Sequence, residues 1–264
     1  MPTDRVPRVL SIAGSDSGGG AGIQADLKAF AKAGAHGMSA ITAVTAQSTA
    51  AVTAVYPLPP EAIVEQVRAV ASDIGVDAVK IGMVGNAAAI EAVGAALDLV
   101  GDAPVVLDPV MIAESGARLL DEEATAALRE RLVPRAAVVT PNLAEAAALA
   151  GARPEDDPEA LARAVHALGP GAVVVTGGHR AEATDVFFDG GRIELIEGDR
   201  QPDGATHGSG CTHSSTLAAE LAKGAPPLEA ARTAKRVAEA AVRDGLRDLG
   251  EGAGPVDVFG LARG

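Results

Sequence analysis

The sequence predicts an α/β protein built on a mostly parallel sheet with helices on both faces. Short aliphatic and β-branched runs, such as Val105-Val106-Leu107 and Ala172-Val173-Val174-Val175, alternate with longer segments of helical period. A second observation concerns where the polar residues fall. Asp16, Asp108, Asn142, Gly177-Gly178-His179 and the loop Gly208–Cys211 nearly all follow the carboxyl end of a predicted strand. In doubly wound sheets that edge is where ligands bind. Each cluster also has a structural use on its own, caps for Asp and Asn and turns for Gly, but one shared edge is a stronger pattern than any of them.

Length and composition bound the rest. The 264 residues have ample length for a buried core, and with no repeat and no linker they read as a single domain, 1–264. Aromatics are 2% of the chain, so the core must be packed with Ala, Val, Leu and Ile. A net charge of −13 argues against a broad basic face for nucleic acid or an anionic membrane. An anionic ligand must then be met locally, by amides, a cation or a metal. The single cysteine excludes a disulfide framework within the chain and fits a reducing cytoplasm. Met1–Arg8 is charged and twice interrupted by proline, unlike a signal peptide. Ala33–Pro60 carries no charge, but His36, Gly37, Gln47 and several Ser/Thr fit a strand, a loop and a second strand better than a membrane span. A soluble protein is expected.

Taken in order, Val9–Ala13 is a candidate first strand, entering the loop Gly14–Gly22. A helix from Ile23 to about Ala33 is stopped by Gly34, and Ile41–Thr45 reads as the next strand. Pro60 starts a helix whose face carries Ile63, Val67 and Val70. Ala78–Gly82 and Val105–Pro109 are strands on either side of a helix from about Ala87 to Leu99. A helix around Glu122–Leu132 leads to Ala137–Thr140, where Pro141 ends the strand. Asn142 can cap the next helix, with Glu145 three residues on as in a capping box. A helix over about Pro158–Leu168 precedes the strand Ala172–Thr176. Val186-Phe187-Phe188, Asp189-Gly190-Gly191 and Ile193-Glu194-Leu195 form a hairpin signature. The last helix runs from about Leu228 to Leu246.

The stretch that organises this frame is Thr206-His207-Gly208-Ser209-Gly210-Cys211-Thr212. It reads as a glycine-rich loop entering a helix that carries Leu217 and Leu221 and stops at Gly224. The first amides of such a helix have no intrahelical partner and its dipole favours an anion, which glycines let approach closely. Two readings stand for this loop alone: an anion site, or a tight turn around a buried cysteine. No P-loop motif occurs. The Gly18-x-Gly20 pair lacks the third glycine of a dinucleotide fingerprint, because Ile23 stands there, and Cys211, His207 and His213 make no familiar zinc pattern. A cysteine hydrolase is conceivable, with Cys211 lowered in pKa by the helix terminus and activated by a histidine. It leaves Asp108 and the Asn142/Glu145 pair without a use. Carboxylates at strand ends beside an amide-rich loop suit a Mg²⁺–nucleotide site and phosphoryl transfer better.

Longer stretches carry a family resemblance. The run Ile12-Ala13-Gly14-Ser15-Asp16-Ser17-Gly18-Gly19-Gly20-Ala21-Gly22-Ile23-Gln24-Ala25-Asp26-Leu27-Lys28 closely resembles the opening of bacterial hydroxymethylpyrimidine/phosphomethylpyrimidine kinases of thiamine biosynthesis. So do Thr42–Gln47, Lys80-Ile81-Gly82-Met83, Leu107–Met111, Thr140–Ala146, Gly177-Gly178-His179 and the Cys211 loop, in the same order over nearly the whole chain.

That resemblance implies a ribokinase-like three-layer α/β/α sandwich. It also implies ATP- and Mg²⁺-dependent phosphorylation of 4-amino-5-hydroxymethyl-2-methylpyrimidine, and then of its monophosphate. By position, Gln47 hydrogen-bonds the aminopyrimidine, while Gly14, Asp26, Met83 and Val110 line the acceptor pocket. Gly208, Ser209, Gly210 and Cys211 form the anion hole, with Cys211 near the hydroxyl as base, its thiolate favoured by the helix dipole. Asp108, Asn142, Glu145, Thr176 and Gly178 fall on the nucleotide side. Asp108 and Glu145 are the magnesium residues, acting through water. Homodimers are typical of the family. The sequence departs from it at Thr176, where many members carry lysine, at Asp203-Gly204-Ala205, where an asparagine commonly precedes the Thr-His pair, and at His213, which replaces an apolar residue. Close relatives with the same Cys loop act on pyridoxal, so a vitamin B6 kinase is the sister reading. A silent binding protein has no need of all three clusters.

Overall fold

The structure, a computed structural model, describes residues 5–112, 119–154, 156–177, 183–201 and 204–263. In chain order the elements are β1 (Arg8–Asp16), α1 (Gly22–Lys32), β2 (His36–Gln47), β3 (Val52–Pro57), α2 (Pro60–Asp73), β4 (Ala78–Ile81) and α3 (Ala87–Ala96). There follow β5 (Val105–Leu107), α4 (Glu122–Arg131), β6 (Val138–Val139), α5 (Leu143–Ala150), α6 (Pro158–His166) and β7 (Ala172–Val175). The chain closes with β8 (Asp185–Phe188), β9 (Ile193–Ile196), α7 (Ser209–Ala222) and α8 (Pro227–Arg243). The strands form one sheet in the order β3-β2-β1-β4-β5-β6-β7-β8-β9 among the described residues. From β2 to β7 all neighbours are parallel, and β3, β8 and β9 are added antiparallel at the two ends.

Strand pleating sorts the side chains into two cores. Leu10, Ile12, Val79, Ile81, Leu107 and Val139 face a layer made by α2 to α6, where Ile63, Ile90, Leu128 and Leu161 bury themselves. Val9, Ala78, Val106, Val138 and Val174 face the opposite layer, with Phe30 of α1, Leu217 of α7 and Ala234 of α8. Burying each large aliphatic side chain contributes about 1.5–3 kcal/mol. Alanine dominates where α7 and α8 meet each other and the sheet, which lets these helices approach closely. Among the described residues no helix is long and apolar enough to cross a membrane.

Two differences from the sequence reading matter for the site. First, β1 runs through Gly14 and Ser15 to Asp16, because Ser15 and Asp16 keep pairing with Val44 and Thr45 of β2 across a bulge. The glycine loop therefore begins later and is shorter. Second, β2 is a twelve-residue strand rather than the five residues of Ile41–Thr45, and it turns back into β3 as its antiparallel partner. Helices α6 and α8 also stop short of Leu168 and Leu246.

Candidate active site

A cleft of about 500 Å³ lies over the carboxyl ends of the parallel strands. The sheet order divides its lining. Gly14, Thr45, Gln47 and Met83 come from β1, β2 and the residues after β4. Asp108 and the first turn of α7 lie in the middle, and Asn142, Glu145, Thr176, Asp185 and Lys235 come from β6 to β8, α5 and α8.

On the first side, the Thr45 hydroxyl lies 3.2 Å from Gln47 Oε1 and 2.9 Å from the Ser15 carbonyl, which orients the glutamine amide. Gly14 lets Met83 pack close: a Cβ there would meet Met83 Cε at 2.3 Å, so the methionine end would have to move. The following loop is folded around one carboxylate. Asp16 accepts from the amides of Gly18, Gly20 and Ala21 and lies 3.1 Å from His207 Nε2. Burial pulls the Asp16 pKa upward, yet His207 and these amides hold it below the usual carboxylate range. This contact ties the first glycine loop to the last one.

In the middle, Gly208 caps α7 in the left-handed conformation at φ 86°, and a Cβ there meets the Gly20 carbonyl oxygen at 1.8 Å. The Ser209 amide bonds the Thr206 carbonyl, and the regular helical ladder starts with Thr212 to Gly208. The amides of Gly210 and Cys211 lie between them, left by helix geometry without an intrahelical acceptor. A Cβ on Gly210 meets nothing within 4 Å, so this glycine keeps space open beside those amides.

Asp26 corrects an expectation. It neither lines the cleft nor sits on a solvated helix face; it is fully buried beneath it. Its carboxylate accepts from Ser11 Oγ at 2.6 Å, Ser215 Oγ at 2.7 Å and Lys80 Nζ at 2.8 Å. Lys80 is also fully buried and stands 3.8 Å from Asp108 Oδ2. Burial opposes its charge, but Asp26 and Asp108 hold its pKa above the ordinary lysine value. Lys80 was quoted in the family motif without a role. A lysine in a strand whose four residues are all buried was the available signal.

Cys211 is the second correction. It was expected as a thiolate favoured by the helix dipole. Burial, together with the carboxylates of Asp26 and Asp108, pushes the thiol up to about 12 against the opposing pull of Lys80 and the Gly22 amide. Part of the residue stays open to the cleft, and its resting state is a thiol. Neither cleft histidine activates it: His207 engages Asp16, and His213 Nε2 lies 3.5 Å from Asp185 Oδ2.

On the other side the Asn142/Glu145 capping box forms as read. Asn142 Oδ1 accepts from the Glu145 amide and Glu145 Oε2 from the Asn142 amide, both at 2.9 Å. Burial and the nearby Asp108 push Glu145 up to about 8. Burial also raises Asp108, though Lys80 and the hydroxyl of Ser214, 2.9 Å away, oppose it. Two buried carboxylates that resist ionising side by side are oxygen donors suited to a hard divalent cation. Among the described residues no group of three or more such ligands occurs, so an ion held by this pair would keep much of its own water. Thr176 lines this side, paired with Asn142 through a β-bridge. Sequence reasoning gave no role to Asp185 and Lys235, which join here at 2.8 Å. Gly178, His179, Glu114–Gly116 and Asp203 lie outside the described residues.

A sheet of this order, with an open first turn of helix between the Gln47 side and the acidic side of one cleft, fits a small-molecule kinase of the ribokinase-like fold. The comparisons agree. The family model for phosphomethylpyrimidine kinase matches residues 16–257, and the chain belongs to that family. It is 50% identical over 256 residues to the hydroxymethylpyrimidine/phosphomethylpyrimidine kinase of Rhizobium meliloti, covering 95% of this chain and 96% of that one. It is 44% identical to the Bacillus subtilis protein of the same name, covering 97% and 96%. The solved ADP complex of Bacillus subtilis pyridoxal kinase superposes with a TM-score of 0.90 at 38% identity, covering 98% of this chain and all of that one.

Proposed function

We propose that this kinase transfers the γ-phosphoryl group of ATP to the hydroxymethyl group of 4-amino-5-hydroxymethyl-2-methylpyrimidine, and then a second phosphoryl group to the resulting monophosphate. The observation that carries the reading is the first turn of α7, where Gly210 leaves open space beside its own amide and that of Cys211, in one cleft lined also by Gln47, Asp108 and Glu145. The match to the phosphomethylpyrimidine kinase family model, with relatives of that name at 44% and 50% identity over nearly the whole chain, favours the pyrimidine acceptor.

In this reading the Gln47 amide donates to and accepts from one edge of the aminopyrimidine, while Met83 and Val110 pack on the ring. The acceptor oxygen then bonds to the γ-phosphorus as the bond to the β–γ bridging oxygen breaks and ADP departs. The α7 amides hold the equatorial oxygens of the group in flight. A resting thiol cannot accept the hydroxyl proton, so Cys211 orients the hydroxyl and the proton leaves with the transferred phosphoryl group. Asp108 and Glu145, with Asn142 fixing the latter, are the residues to hold Mg²⁺, which when bound neutralises and orients the phosphate oxygens. Thr176 lies toward the nucleotide. We also propose a homodimer, for which the edge strand β3 with exposed Val55 and Tyr56 offers a self-pairing face; sedimentation at micromolar concentration checks it.

The test is ATP consumption with Mg²⁺ and each acceptor separately. Turnover of both pyrimidines well above pyridoxal is expected. Preference for pyridoxal overturns the acceptor assignment, and activity that needs no nucleotide overturns the kinase chemistry.

A further inference from the structure

His213 is buried, yet lines the cleft, and among the described residues neither of its ring nitrogens has a partner in hydrogen-bonding geometry. Its nearest polar neighbour is equally incomplete. Asp185 Oδ1 accepts from the Gly177 amide at 2.9 Å and from Lys235 Nζ at 2.8 Å, whereas Oδ2 accepts no well-formed hydrogen bond among the described residues and stands at an ion-pair distance of 3.5 Å from His213 Nε2. Leaving buried polar atoms unpaired forfeits their hydration without return, so such a cluster asks for a ligand.

Its position says which ligand. His213 lies four residues after Ser209 and three after Gly210 on α7, hence on the helix face directly beneath the first-turn amides. Asp185 belongs to β8, three strands beyond β5 in the sheet, roughly 14 Å away at normal strand spacing and opposite the Gln47 side. The groups facing the imidazole are Asp185, the Asp108 carboxylate, and Lys235 through Asp185.

We infer that His213 binds the phosphate chain of the nucleotide, Nε2–H donating to Asp185 Oδ2 and Nδ1–H to a phosphate oxygen, with Lys235 balancing Asp185. This rests on the kinase reading above. Hydrogen bonds then run in line from Lys235 through Asp185 and His213 to the phosphate, and the three orphaned atoms are satisfied. Asp185 is suited to the part: burial works against its charge, but His213, Lys235 and the Gly177 amide hold it ionised below the usual carboxylate range. His213 also supplies a donor to a nucleotide side on which Thr176 offers no charge.

The experiment is calorimetric titration of the full chain with ADP, ATP and adenosine, alongside steady-state KM values. His213→Leu is expected to weaken ADP and ATP about tenfold, the loss of one charge-assisted hydrogen bond, while adenosine binding and the KM for the pyrimidine stay within about twofold. His213→Gln, which keeps a donor, is expected to recover part of the loss. Equal ADP affinity in wild type and His213→Leu overturns the inference, as does an equal loss for adenosine. Should His213→Leu not fold, the wild-type protein with ¹⁵N-histidine decides. ADP must move a ring nitrogen of His213, assigned with His213→Gln, while adenosine must not; an unmoved resonance overturns the inference. Failure of wild type to bind ADP at all would instead count against the kinase reading.

Discussion

Two buried aspartates in this molecule have opposite surroundings. Asp26 lies under the cleft with both oxygens taken, by Ser11, Ser215 and Lys80, which join β1, α1, β4 and α7. Asp185 lies in the cleft wall with one oxygen taken twice and, among the described residues, the other left without a hydrogen bond, beside a histidine in the same condition. Both are charges moved out of water, which is costly unless compensated. At Asp26 the compensation comes entirely from the fold, so that cluster holds the floor of the site in place. At Asp185 it is incomplete, so a ligand must finish it. Completeness of hydrogen bonding thus separates the residue that supports the site from the residue that serves it.

The largest effect expected from breaking this contrast is on the closed cluster. Lys80→Met strands the Asp26 carboxylate and should lower stability by about 3–5 kcal/mol, the usual cost of removing one partner of a buried pair. Adding Asp26→Asn should restore part of it. Urea unfolding of the single and double variants measures both, and a single variant as stable as wild type removes the supporting role.

Next comes the anion site. Gly210→Val meets no protein atom at its Cβ, so folding should survive, but its methyls enter the space beside the amides. Turnover at saturating substrates should fall about 100-fold, as for loss of an oxyanion-hole donor. Loss of stability with unchanged turnover would show that the loop is only a turn.

A smaller effect is expected at Cys211. A positioning thiol predicts that Cys211→Ala slows turnover about tenfold with little change in acceptor KM. A general base is worth about 100-fold or more, so a loss of that size would restore the base assignment.

A last test of the contrast is pH. Glu145 is raised to about 8 from its ordinary 4.5, so the folded state holds a proton that the unfolded state has released. Its contribution to stability is therefore full below about 4.5 and is lost as pH rises toward 8, at no more than about 1.4 kcal/mol per pH unit. Glu145→Gln keeps the capping geometry and should flatten that slope in urea titrations without metal. Mg²⁺ added to wild type should also flatten it.

The parts of this picture legible in sequence were the local ones. The capping box needs only Asn142 and Glu145 three residues apart, and the hairpin needs only its glycine turn; both formed as read. The strand-end placement of Asp108 and Asn142 followed from apolar runs that end at Pro109 and Pro141. What stayed hidden depends on distant partners. Lys80 and Asp26 are 54 residues apart, and Ser215 is 189 from Asp26, so no periodicity shows that this helix aspartate faces inward. The helix dipole at Cys211 is a local feature and points toward a thiolate. Burial and the carboxylates of Asp26 and Asp108 are tertiary, and they prevail.

The central claim is that one cleft carries out both phosphoryl transfers. The most direct measurement is ³¹P NMR of the full chain with ATP, Mg²⁺ and the hydroxymethylpyrimidine monophosphate. The account predicts that the γ-phosphate signal of ATP is replaced by ADP together with the paired resonances of a new diphosphate ester, in equal amounts. Release of inorganic phosphate alone, or ATP left intact with the monophosphate but consumed with pyridoxal, would contradict it.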